Sequence, residues 1–123
     1  MEIHTFILVG IIASFVLAAS AIPGIATFYT NYASSACYGN QNNGVMIAAA
    51  SDAIWNGGAA CGKFYTVQCT GDRNAIPHPC KAGGVTVKIV DHCPGCPSTL
   101  DLSREAFSKI ADPVAGIINI DYR

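Results

Sequence analysis

The six cysteines of this chain constrain its fold more than any other feature. They lie at positions 37, 61, 69, 80, 93 and 96, all of them after an apolar stretch near the N-terminus. An even number of cysteines behind a secretory leader indicates a disulfide framework. About a hundred residues remain after that stretch, which is one small domain whose core gains from covalent cross-links. We therefore expect three disulfides, and the residues alone leave all fifteen possible pairings open.

The N-terminal stretch is typical of a secretory signal peptide. An apolar run extends from Phe6 to Ala19, and small residues follow it up to Ala21. The run is shorter than the 20 or so apolar residues of a comfortable membrane span, which disfavours the alternative of an uncleaved anchor. We predict a signal peptide over residues 1–21, cleavage after Ala21, and a secreted domain over residues 22–123.

The charge balance of the predicted domain excludes some partners. Removal of residues 1–21 takes Glu2 away, so the predicted domain contains seven acidic residues and seven Lys and Arg residues. A chain with no net charge and no basic patch offers nothing to attract nucleic acid or anionic lipid. We expect a secreted monomer that binds no nucleic acid and inserts into no membrane once the signal peptide is gone.

Short alternating segments separated by turns indicate an all-β fold, predicted as a small barrel of five or six strands. A helical turn is predicted over residues 51–55, and a helix is predicted to start beside Ser103, a good N-cap residue. The predicted strands cover residues 22–30, 45–50, 63–69, 85–91 and 116–122.

The best candidate site lies between the strand over residues 85–91 and the helix after Ser103. Asp91 is predicted to end the strand, two prolines force a turn, and Asp101 follows before the helix. Two acids that flank one rigid loop are suited to catalysis or ligand binding. The alternative for Asp101 is a structural one, in which its carboxylate accepts hydrogen bonds from backbone donors near the helix start.

Cys93-Pro-Gly-Cys96 has two alternatives to a structural disulfide. Together with His92 the pair could form half of a zinc site, but no second close cysteine pair occurs in the chain. A thioredoxin-like redox role is disfavoured because Pro97 follows and no βαβ pattern surrounds the motif. We expect neither a metal nor a cofactor. Trp55 is as compatible with a core position as with a ligand platform.

Five ordered motifs resemble the first domain of expansins. The resemblance covers the whole predicted domain, and the single-domain members with this set of cysteines are the plant natriuretic peptides, also called EG45-like domain proteins. It implies a six-stranded double-psi β-barrel with one or two short helices, stapled by disulfides and secreted into the apoplast. It also implies the pairs Cys37–Cys61 and Cys69–Cys80, which leaves Cys93 with Cys96. The motifs are Ala26-Thr-Phe-Tyr29, Ser35-Ala-Cys-Tyr-Gly39, Trp55-Asn-Gly-Gly-Ala-Ala-Cys-Gly62, Val90-Asp-His-Cys-Pro94 and Leu100-Asp-Leu-Ser-Arg-Glu-Ala-Phe107.

The resemblance also bears on catalysis, because family 45 glycoside hydrolases share this fold. An inverting glycosidase needs a carboxylic acid and a carboxylate base, roughly 6.5 to 9.5 Å apart. Asp101 aligns with the acid, but Asn31 stands where the base would be, and an amide does not accept a proton usefully. Asp91 is the alternative base, although expansins carry its motif without hydrolysing anything. We expect a protein that is not an enzyme and has no catalytic residues.

Two functions remain open. The first is signalling through a cell-surface receptor. The natriuretic-peptide resemblance implies that such signalling controls water and solute movement and stress responses. The second is binding of wall polysaccharide in a groove formed by Tyr29, Trp55, Asp91 and Asp101. The resemblance places signalling activity at roughly residues 41–69, and the small number of aromatic residues for sugar stacking favours signalling over polysaccharide binding.

Overall fold

The computed structural model describes residues 20–123, which form six strands and two short helices. The predicted signal peptide therefore lies almost entirely outside the described residues. Within them, no helix combines the length and apolarity that crossing a membrane would need. The strands are β1 (Ile22–Tyr29), β2 (Ile47–Ser51), β3 (Phe64–Asp72), β4 (Gly84–Cys93), β5 (Leu100–Ser103) and β6 (Ile117–Tyr122), and the helices are α1 (Asp52–Trp55) and α2 (Arg104–Ile110).

The strands close into a barrel in the order β1-β5-β2-β4-β3-β6. The pairs β1/β5 and β2/β4 are parallel, and the other four are antiparallel. Alternate residues point inward, so Val67, Val87 and Ile89 are fully buried in the core. The predicted double-psi β-barrel with short helices is confirmed.

The sequence pattern predicts a loop and a helix start, and not a strand, at the position of β5. Its four residues are too few to show a period of their own. The barrel makes them a strand, because Leu100 pairs with Ala26 on β1 on one side and with Ala50 on β2 on the other. Both partners are far away in sequence, so only the tertiary structure identifies β5.

Strand β4 also continues beyond its predicted end at Asp91. His92 and Cys93 still pair with β2, opposite Ala50 and Ser51. A bulge precedes this part, because Ala48 pairs with Ile89 while Ala49 pairs with Asp91. Val90 is therefore the extra residue, and the bulge turns Asp91 to the outer surface of the barrel.

The predicted cap of the second helix is confirmed. The Ser103 hydroxyl accepts a hydrogen bond from the backbone N–H of Ala106 at 3.0 Å. The same hydroxyl donates to the backbone carbonyl of Val45. Ser103 thus caps α2 and fixes the chain before β2, while Phe107 of the helix fills the open end of the core.

Three disulfides join the cysteines in the pairs that the resemblance implied. Cys37–Cys61 joins two loops, and Cys69–Cys80 ties a loop to strand β3. Cys93–Cys96 closes the turn between β4 and β5. No cysteine of the described chain is free.

Candidate functional site

Four residues of adjacent strands form a row across the outer surface of the barrel. Asp101 on β5 pairs with Thr27 on β1 and with Ala49 on β2, and Ala49 also pairs with Asp91 on β4. Paired residues on neighbouring strands project to the same face, so these side chains lie side by side. We call Thr27, Asp101, Ala49 and Asp91 the cross-strand row. Ala49, which is itself buried, separates the two carboxylates with only a methyl side chain.

Asp101 is held by a chain of hydroxyl groups. The Thr27 hydroxyl donates to Asp101 Oδ1 at 2.9 Å, and the Ser98 hydroxyl lies 2.7 Å from Thr27 Oγ1. Burial raises the pKa of Asp101, the hydrogen bond from Thr27 opposes that rise, and the charge of Asp91 adds to it. The alternative interpretation of Asp101 as a helix cap is wrong, because the cap is Ser103 and the carboxylate bonds to Thr27 instead.

Asp91 is a member of the row and also holds a loop in place. Its Oδ1 accepts hydrogen bonds from the backbone N–H groups of Ala36 at 2.8 Å and of His92 at 2.9 Å. The first of these contacts spans 55 positions in sequence and fixes the loop that contains Cys37. One carboxylate oxygen is therefore committed to the backbone, and within the described residues the other accepts no hydrogen bond.

Tyr29, at the end of β1, lies close to both acids. Burial raises the pKa of its hydroxyl group, and the charges of Asp91 and Asp101 raise it further. Its ring packs edge-on against Tyr32, with ring centres 5.2 Å apart. The structure thus brings together three of the four residues predicted for the groove.

Tyr32 supports Tyr29 in a way that the sequence pattern does not reveal. Its hydroxyl donates to Glu105 Oε1 at 2.7 Å and accepts from the backbone N–H of Arg104 at 2.9 Å. The ring of Tyr32 is thereby tied to the start of α2. Both partners lie more than 70 positions away along the chain, so no local signal could have shown this role.

Trp55, the fourth predicted groove residue, lies outside the row and stacks on His92. The two rings are nearly parallel, with an angle of 2° and centres 4.5 Å apart. His92 Nε2 lies 2.7 Å from Asp52 Oδ1, and Asp52 Oδ2 accepts from the backbone N–H of Gly95 at 3.0 Å. The bond from Gly95 and the bond to His92 lower the pKa of Asp52. His92 pairs with the core residue Ala50 and not with a member of the row, so Trp55 and His92 form a contact apart from it.

Asn31 occupies the position at which the resemblance places a catalytic base. Its side-chain oxygen accepts a hydrogen bond from the backbone N–H of Ala33 at 3.1 Å, which closes a short turn. Asn31 is exposed. The residue therefore has a local structural role and brings no second carboxylate to the row.

Within the described residues, one group of potential metal ligands comes together. The sulfur atoms of Cys93 and Cys96 and a carboxylate oxygen of Asp101 all lie within 4.8 Å of one another. The two sulfur atoms are bonded to each other, so neither is the thiolate that a metal ion needs. While this disulfide is intact, the group cannot bind zinc.

Comparison with known proteins shows which family this sequence resembles. A sequence profile described as lytic transglycolase matches residues 47–122. An EG45-like domain containing protein of Arabidopsis thaliana is 68% identical over 103 residues, which are 83% of this chain and 82% of the relative. An EG45-like domain containing protein of Citrus jambhiri is 61% identical over 108 residues, which are 85% of this chain and 82% of the relative.

The solved structures place the same fold among expansins. A mutant Clavibacter michiganensis expansin in complex with cellohexaose is 32% identical, with a TM-score of 0.64. The match covers 85% of this chain and 50% of that expansin, so the chain spans half of the expansin's length. The sequence matches and the barrel agree, and the chain belongs to the EG45-like domain proteins within the expansin-like family.

Proposed function

We propose that this protein is a secreted, non-enzymatic wall protein that binds a neutral β-glucan chain along the cross-strand row. The observation that carries the proposal is the pairing of Asp91 and Asp101 on either side of Ala49, with the ring of Tyr29 beside them. Carboxylates accept strong hydrogen bonds from sugar hydroxyl groups, and an aromatic ring contacts the apolar face of a sugar. The expansin that is similar to this chain was crystallised with cellohexaose, which supports the same class of ligand.

The charge of the row favours a neutral polysaccharide over an acidic one. Like charges placed opposite each other are unfavourable, and the row already holds two carboxyl groups with no Lys or Arg in it. A uronate-rich chain would bring further negative charges to the same strip. A glucan brings only hydroxyl groups, which can satisfy the free oxygens of Asp91 and Asp101.

Binding to immobilised glucan tests this proposal. Wild type is expected to be retained on β-glucan and not on polygalacturonate, and Tyr29→Ala is expected to reduce retention at least several-fold. Phe64→Ala is the matched control, because Phe64 is 65% exposed on β3 and takes no part in the row. Equal retention of wild type and Tyr29→Ala, or loss of retention in the Phe64 variant alone, would place the site elsewhere.

The absence of catalysis is part of the proposal and rests on the missing base. Asp101 has the raised pKa that suits a general acid, but Asn31 supplies no carboxylate, and Asp91 holds the loop at Ala36. Reducing ends released from soluble β-glucan should stay at background for wild type and for Asp101→Asn. Release by wild type that Asp101→Asn abolishes would establish a hydrolase instead.

Secretion and a signalling role stay predictions of the sequence. The apolar stretch before residue 20 motivates the first, and intact-mass analysis of protein from the culture medium should find a chain that begins at or near Ile22. The resemblance to natriuretic peptides motivates the second, for which a cell-swelling assay on the same preparation is the direct measurement. Neither result depends on the glucan assay, so the three can succeed or fail separately.

A further inference from the structure

A cleft lies beside the cross-strand row. It has a volume of about 330 Å³, at the lower end of the roughly 300–1,000 Å³ usual for small-molecule sites. Its lining includes the loop over residues 40–44, the ring-bearing Tyr32 and the apolar Ile47 and Val90. All eleven residues that line the cleft are uncharged.

The cleft lies beside the row, displaced along two of the strands that the row crosses. Ile47 precedes Ala49 by two positions on β2, so both side chains project to the same face, roughly 7 Å apart along the strand. Val90 precedes Asp91 directly on β4. Tyr32, at the side of the cleft, is the ring that packs against Tyr29. The cleft therefore lies to one side of the row, toward the start of β2, and a chain bound on the row reaches it by crossing these strands obliquely.

Internal hydrogen bonds give the loop a defined shape. Asn42 Oδ1 accepts from the backbone N–H of Gly44 at 2.9 Å, and Asn43 Nδ2 donates to the backbone carbonyl of Gln41 at 3.2 Å. The Gln41 backbone N–H donates to the carbonyl of Tyr38 at 3.2 Å. These bonds fix the loop before any ligand arrives, which reduces the entropy cost of binding.

Two amide side chains remain for a ligand. Within the described chain, neither the side chain of Asn40 nor that of Gln41 makes a hydrogen bond, whereas Asn42 and Asn43 use theirs inside the loop and toward Lys88. An amide group both donates and accepts, which is what a sugar hydroxyl requires. Uncharged amide groups beside the apolar Ile47 and Val90 suit a neutral sugar ring, which has polar edges and an apolar face.

We propose that this cleft is an accessory subsite, in which Asn40 and Gln41 bind a further sugar residue of the neutral glucan that occupies the row. The inference rests on the proposed function, since the cleft adjoins the row at Ala49 and Asp91. In this proposal the loop over residues 40–44 determines how many sugar residues the protein contacts, and the row makes the main contact with the glucan.

A length series of cello-oligosaccharides tests the subsite by isothermal titration calorimetry. For wild type, cellohexaose should bind more tightly than cellotriose, because only the longer chain reaches both the row and the cleft. In the double variant Asn40→Ala/Gln41→Ala the ratio of the two affinities should fall about ten-fold, the effect of one or two lost hydrogen bonds. Gln68→Ala, an exposed amide on β3, is the matched control and should leave the ratio unchanged.

Side-chain amide signals in NMR spectra supply a second measurement that does not depend on the variants. Cellohexaose should shift the NH₂ resonances of Asn40 and Gln41, and cellotriose should shift them much less. An unchanged affinity ratio in the double variant, or unmoved NH₂ resonances at saturating cellohexaose, overturns the subsite while leaving the row intact. Absence of any oligosaccharide binding by wild type overturns the proposed function together with the subsite.

Discussion

Asp91 and Asp101 lie on opposite sides of Ala49, because each of them pairs with that alanine from a different strand. The arrangement needs the bulge at Val90, which turns Asp91 outward, and the short strand β5, which carries Asp101. Two acids ten positions apart in sequence thus become neighbours across one strand. The charge of Asp91 contributes to the raised pKa of Asp101, after burial, which is the larger cause.

Neutralising Asp101 should not destabilise the protein near neutral pH. Burial raises the folded-state pKa of Asp101 above its ordinary value, so stability falls as the pH rises from that ordinary value and the loss is complete once the pH exceeds the raised one. Asparagine keeps an oxygen for the Thr27 hydroxyl and carries no charge. We expect Asp101→Asn to have an equal or higher Tm than wild type at pH 7, with the difference shrinking as the pH falls to about 4, where wild type is protonated as well.

Thermal unfolding monitored by circular dichroism from pH 4 to pH 8 measures this difference. Asp72→Asn is the control for loss of one negative charge, because Asp72 is exposed at the end of β3. A Tm for Asp101→Asn well below that of wild type at pH 7 would mean that the Asp101 carboxylate stabilises the fold, and the expected cost of its ionisation would be wrong.

Removing the ring of His92 should change the environment of Trp55. His92→Asn keeps a polar group near Asp52 but takes away the surface on which Trp55 stacks. We expect a shift of tryptophan emission to longer wavelength and a loss of about 1 kcal/mol, the usual size of an aromatic pair. Trp55 is the only tryptophan in the chain, so the emission reports on this ring alone.

His78→Asn is the matched control for that experiment. His78 is exposed and has a φ of 49°, a conformation that asparagine tolerates better than most residues. Emission and Tm should both stay at the wild-type values in this variant. If His92→Asn leaves the emission unchanged, the stack does not persist in solution.

Loss of the Ser103 hydroxyl should destabilise the protein by about 2 kcal/mol. The substitution Ser103→Ala removes the cap of Ala106 and the donor to the Val45 carbonyl, two hydrogen bonds at a buried position. Urea denaturation measures the free energy of unfolding. Ser108→Ala on the same helix changes the same chemical group without a side-chain hydrogen bond in the structure, and it should cost far less.

The disulfides should differ in their contribution to stability. Cys37–Cys61 joins residues 24 positions apart, whereas Cys93–Cys96 joins residues 3 positions apart. In the chain-entropy model, replacing the first pair by serine costs about 3.5 kcal/mol and replacing the second pair about 2 kcal/mol. Urea denaturation of the two double variants ranks them, and peptide mapping without reduction checks the pairing itself. A Cys93 peptide linked to any cysteine other than Cys96 would contradict the structure.

The sequence alone determined the parts that depend on local pattern. Local apolar patterns located five of the six strands: alternation marked half-buried strands, which repeat every two residues, and a short continuous apolar run marked the fully buried β2. The preference of serine for helix N-termini located the cap at Ser103. The resemblance carried by five motifs supplied the barrel and the cysteine pairs, and it pointed to Tyr29, Asp91 and Asp101.

Only the tertiary structure decided how these residues meet. Strand β5 exists because β1 and β2 leave a place for four residues between them, and the face of Asp91 depends on a one-residue bulge opposite Ala48 and Ala49. Trp55 stacks on His92 through contacts 37 positions apart that no local periodicity records. The physical reason is the same in each case: strand pairing and side-chain packing join residues that are distant in sequence, whereas sequence patterns report only on neighbours.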